Sequence, residues 1–149
     1  MTGEPEVVGV LEAASRIRIV VHSLAIWLVL IVAEIIHGIL RAITLVPLVG
    51  EFQSNQIGVF TGSAIILVIA YFTIRWIGAK CRLELLMVGA IWLVFTVTFE
   101  LCFGRFVMGL SWERLGADYN PLQGGLMPIG LAVLFVSPMV AAKLREIRT

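Results

Sequence analysis

The chain has 149 residues, 60% of them hydrophobic and only 14% charged, with a mean hydropathy of +1.02. A soluble domain carries roughly 45–50% apolar and about 25% charged residues, so this excess exceeds what one aqueous core hides. A net charge of +1, without a basic run or basic–aromatic interleaving, excludes a nucleic-acid partner.

In chain order, the first fifteen residues contain Glu4, Glu6 and Glu12, the wrong sign for a secretory leader. No small-x-small cleavage site follows the next apolar stretch, so the first apolar helix is expected to remain. Residues 1–18 space Val7, Val8, Val10, Leu11, Ala14 and Ile17 at helical intervals and end on Arg16 and Arg18. This predicts a short amphipathic segment at the membrane surface, with a frayed terminus as the plainer alternative.

Four apolar blocks follow, with charge-free cores Ile19–Ala33, Ile57–Ile74, Leu85–Phe99 and Gly124–Ala142. The second and fourth hold 18 and 19 residues and span the ~30 Å hydrocarbon layer unaided. The first and third hold 15 each, which at ~1.5 Å per residue is too short. Both helices must therefore continue past an acid, Glu34 in one and Glu100 in the other. The linking segments are Gly50–Asn55 and Ser111–Gln123, with Pro47 closing the first helix and Pro128 and Pro138 inside the fourth. Gly58-x-x-x-Gly62 permits close backbone approach and reads as a helix-packing face.

Eight Lys and Arg residues (Arg16, Arg18, Arg75, Lys80, Arg82, Lys143, Arg145, Arg148) fall on the side of the two termini. Only Arg41, Arg105 and Arg114 fall on the other. The positive-inside rule then predicts cytoplasmic termini in a bacterial-type inner or plasma membrane. Cys81 and Cys102 fall on opposite sides and form no disulfide framework.

Internal similarity adds organisation. Ala25-Ile-Trp-Leu-Val29 recurs as Ala90-Ile-Trp-Leu-Val94, Glu34 as Glu100, and Gly38 as Gly104. Glu51-Phe-Gln-x-x-Gln56-x-Gly58 matches Asp118-Tyr-Asn-x-x-Gln123-x-Gly125, and Ala79-Lys-x-Arg82 matches Ala142-Lys-x-Arg145. The predicted fold is all-α: an integral membrane four-helix bundle of two tandem hairpins, residues 19–82 and 83–149. Both copies enter the membrane in the same direction and are expected to be related by a pseudo-two-fold along its normal.

The candidate site is Glu34-Ile-Ile-His37-Gly-Ile-Leu-Arg41, whose three polar residues share one helical face. With Glu100 and Arg105 they are expected to form one polar intramembrane cluster, because a charged group at membrane depth turns inward and pairs. Three roles compete: a structural ion-pair cluster, a proton or ion path, and a metal site. Glu-x-x-His is the ligand spacing of carboxylate-bridged di-metal bundles, but Phe103 stands where a second histidine belongs. Glu34, His37 and Glu100 are therefore the metal candidates. His22 and His37 are ~22 Å apart along their helix and cannot clamp one haem.

No catalytic signature occurs, and no cofactor is predicted. The leading expectation is a non-enzymatic protein acting as a homo-oligomer or as a small subunit among other membrane chains. A proton or ion channel or carrier is the alternative, and a metal-binding membrane protein the third.

Overall fold

The computed structural model describes residues 4–147; the first three residues of segment 1–18, and Arg148, lie outside the described residues. The described chain is all-helical. Its helices are α1 (Glu4–Thr44), α2 (Val46–Val49), α3 (Glu51–Ile77), α4 (Arg82–Cys102), α5 (Trp112–Asp118) and α6 (Met127–Leu144). Four of them, α1, α3, α4 with its extension to Val107, and α6, are long and apolar enough to cross a membrane.

Both length-limited helices continue past their acids. α1 runs through Glu34 to Thr44, and α4 runs through Glu100 to Cys102 before a π-helical turn over Phe103–Val107. The amphipathic segment expected over residues 1–18 is not a separate element. Nothing around Arg16-Ile-Arg18 breaks a helix, and α1 is continuous across it. At ~1.5 Å per residue, 41 residues extend ~61 Å, about twice the hydrocarbon thickness.

Pro47 sits in the first turn of α2, and Gly50 reverses the chain with a φ of +83°. α3 then begins at Glu51, six residues before its charge-free core, with that acid at the positive end of the helix dipole. The matched segment Asp118–Gly125 folds differently, as the end of α5, a tight turn and a 3-10 turn over Pro121–Gln123. α6 accordingly starts at Met127, not Gly124. Within it, Pro138 lacks the amide that would reach Leu134, and the Ser137 hydroxyl donates to the Leu134 carbonyl instead, at 2.8 Å.

α1 packs against α3 and α4, and α6 packs against the same two. α1 and α4 run in one direction, tied by two tryptophans. Trp27 Nε1 donates to Thr96 Oγ1 at 3.0 Å, and Trp92 Nε1 donates to the Ser23 carbonyl at 2.9 Å. α3 and α6 also run together, with Val59 beside Gly130 and Arg145 beside Tyr71. A two-fold exchanging α1 with α4 and α3 with α6 would set each pair on a diagonal. They are neighbours instead, so the expected pseudo-two-fold is not the arrangement; the hairpins lie side by side.

One end, here the terminal end, holds the Gly78–Cys81 link and the last turn of α6. Arg145 knits it: Nε donates to the Tyr71 carbonyl at 2.9 Å and the guanidinium lies 4.5 Å over the Tyr71 ring. His22 stacks on Trp76 with ring centroids 4.0 Å apart. The buried core fills this half, with Ile19, Ile74, Ile77, Val88 and Trp92 fully enclosed. The other end, the loop end, is more open.

Candidate functional site

The loop end contains a cavity of about 780 Å³ walled by α1, α3, α4, α5 and the start of α6. Leu30, Ile66, Leu131 and Leu134 form its floor, Glu34, His37 and Glu100 sit at its waist, and Glu51, Arg114 and Asp118 ring its mouth. Below the floor lie Ile26, Ala70 and Trp92, all buried. A ligand pocket commonly measures ~300–1,000 Å³, mostly apolar with a few convergent polar groups.

The waist is built from both hairpins. On α1, His37 Nδ1 lies 3.3 Å from Glu34 Oε2, and His37 Nε2 lies 2.7 Å from Thr61 Oγ1 on α3. The Thr61 hydroxyl gives its own proton to the Ile57 carbonyl at 3.0 Å. Among the described residues Glu34 Oε1 is buried with no hydrogen-bond partner.

Gly58-x-x-x-Gly62 has a different use from the helix packing expected of it. A Cβ on Gly62 would lie 2.9 Å from Glu34 Oε2, and a Cβ on Gly58 would lie 2.7 Å from Arg41 Cδ. The two glycines make room for the polar side chains of α1. The close helix–helix approach occurs at Gly89, where α4 meets the Phe135 backbone carbonyl of α6.

Arg41 donates to Ser54 Oγ at 3.3 Å and to Asn55 Oδ1. It lines the cavity without meeting either waist acid. Glu100 Oε2 accepts from the Tyr119 hydroxyl at 3.1 Å. Burial first, then the neighbouring Glu100 charge and this hydrogen bond, hold the Tyr119 phenol above its ordinary range.

Of the five residues expected to cluster, Glu34, His37, Arg41 and Glu100 line this cavity and Arg105 does not. Arg105 donates to the Leu110 carbonyl at 3.1 Å and lies 5.7 Å from the Trp112 ring centroid. The π turn over Phe103–Val107 carries it toward the α4–α5 link. Among the described residues, no three His, Cys, Asp or Glu side chains are grouped to hold a metal ion. Thr61, Ser54, Asn55 and Tyr119 were not among the site residues the sequence singled out, being uncharged and 13 or more positions from the charged groups they meet, except that Tyr119 and Asn55 fall in the outer loop segments.

In comparisons with protein-family models, with curated proteins and with solved structures, nothing matches this chain.

Proposed function

We propose that the chain is a multi-pass membrane protein of two tandem hairpins forming a four-helix bundle, and that its loop-end cavity is a one-sided receptacle for a small molecule. Like-directed α1 and α4, and α3 and α6, support the repeat. The distribution of Lys and Arg supports cytoplasmic termini in a bacterial-type inner or plasma membrane, which opens the cavity to the outer side. The observation that carries the reading is the cavity itself: about 780 Å³, with Glu34, His37 and Glu100 at its waist and a packed apolar layer beneath.

This arrangement favours binding or carriage over an open channel. The wall offers Glu34, His37 and Glu100 as polar groups, but below Leu30, Ile66 and Leu134 the core is closed, and the buried polar side chains of that half among the described residues are the hydroxyls of Ser23 and Ser137. Reconstitution in a planar bilayer tests it. The receptacle gives no steady ion current between pH 5 and pH 8, by the ~pH range in which histidine titrates. A steady proton current that Glu34→Gln abolishes would replace the receptacle with a conduction path.

A second reading, a homo-oligomer or a subunit among other membrane chains, is favoured by one observation. Val7, Val10, Leu11 and Ile17 form an exposed apolar stripe on the first turns of α1. The mass of the detergent-extracted particle, with and without residues 1–18, tests that role.

A further inference from the structure

The charge balance around the cavity specifies what it holds. Four carboxylates line it, Glu34, Glu51, Glu100 and Asp118, against two guanidinium groups, Arg41 and Arg114, and the His37 imidazole. Neither guanidinium serves the waist. Arg114 pairs at the mouth with Glu51 at 2.9 Å, and Arg41 is engaged by the neutral Ser54 and Asn55. Arg105, the third arginine of this half, is turned away toward Leu110 and Trp112. Among the described residues, the waist's ion-pairing contact is therefore His37 with Glu34 alone.

The surroundings of those acids are apolar and aromatic. Phe99 stands one residue before Glu100 on the same wall, Phe52 lines the upper part, and Leu131 and Leu134 lie below. Aromatic faces attract cations, and a water-poor wall strengthens that attraction. A bare metal ion is poorly served, since no three ligating side chains converge among the described residues. A compact hydrophilic cation would leave the floor uncovered. An anion would meet carboxylates at both the waist and the mouth.

We propose that the cavity binds a lipophilic organic cation, a positively charged nitrogen or phosphorus centre on an apolar body, with its charge at Glu34 and Glu100 and its body against Phe99 and the Leu131–Leu134 floor. This rests on the receptacle reading and names its ligand class.

The test is equilibrium dialysis of the full chain in lipid nanodiscs against tetraphenylphosphonium and against tetraphenylborate, with empty nanodiscs subtracted. The two probes share shape and apolar surface and differ in sign. Saturable tetraphenylphosphonium binding is expected, weakened about tenfold or more by Glu100→Gln and by Glu34→Gln, with no saturable tetraphenylborate binding. Each variant is checked for a native elution profile. Should Glu34→Gln fail that check because His37 loses its partner, Glu100→Gln carries the result. Equal binding of both probes, or stronger binding of the borate, overturns the cation class and leaves the receptacle standing. Binding of neither, with no bilayer current, overturns the cation class alone. Binding of neither together with a steady Glu34-dependent current overturns both.

Discussion

Replacing three glycines by alanine, one at a time, separates intrinsic helix preference from packing. In each case alanine relieves roughly 0.5–1 kcal/mol of glycine's conformational cost. At Gly38 nothing lies within 4 Å of the new methyl group, so Gly38→Ala is expected to keep that whole gain. At Gly62 the methyl meets Glu34 Oε2 at 2.9 Å, the far end of a side chain that can retreat. The low end of the ~1–3 kcal/mol overpacking range then roughly cancels the gain. At Gly89 the obstacle is the Phe135 backbone carbonyl, which moves only if α4 and α6 part. The cost there lies at about 3 kcal/mol or above, a net loss of about 2 kcal/mol. Unfolding of the purified variants in mixed micelles measures all three. Placing Gly62→Ala in a Glu34→Ala background adds a cycle, in which the alanine should recover its full preference. Equal effects at Gly38 and Gly89 would refute the close α4–α6 approach. No coupling between positions 62 and 34 would refute the carboxylate's seat on Gly62.

Ser137→Ala removes the hydroxyl that satisfies the Leu134 carbonyl beside Pro138 and should cost about 1–3 kcal/mol in the same unfolding assay. Trp92→Phe strips the indole donor to the Ser23 carbonyl from a fully buried position, and a loss of about 1–3 kcal/mol is expected. The raised Tyr119 pKa has a definite sign. The phenol resists ionising in the folded chain, so its contribution is full below the ordinary phenol value of 10.0 and is lost as pH rises beyond it. Tyr119→Phe should remove that alkaline loss, as seen in unfolding midpoints compared above and below this pH.

The number of membrane-length helices and the two most consequential continuations were legible because hydropathy and length constrain them: 15 apolar residues cannot span hydrocarbon, so α1 and α4 pass their acids. The Glu34–His37 contact was legible too, since residues three apart meet on a helix. Neighbour relations were not. The sequence matches between the two halves do not say whether α4 sits beside α1 or across from it, and that depended on the Trp27 and Trp92 bonds and on space at Gly89. Arg105 was misplaced because the sequence carries no sign of the π turn that redirects it. The seats of Arg41 and Glu34 on Gly58 and Gly62 were hidden for a related reason: a small-residue spacing does not say whether a backbone or a side chain fills the room.

The proposed receptacle requires that water enter between the four helices from the loop end and stop above Leu30, Ile66 and Leu134. Thiol labelling of single-cysteine variants in sealed vesicles, on a background with Cys81 and Cys102 replaced by serine, tests it most directly. Ser63→Cys and Val59→Cys, on the cavity wall, should react with a membrane-impermeant maleimide applied from the loop side. Ala70→Cys and Ser137→Cys, below the floor, should stay unlabelled from either side. Unreactive wall positions, or labelling at Ala70→Cys and Ser137→Cys from the terminal side, would contradict the account.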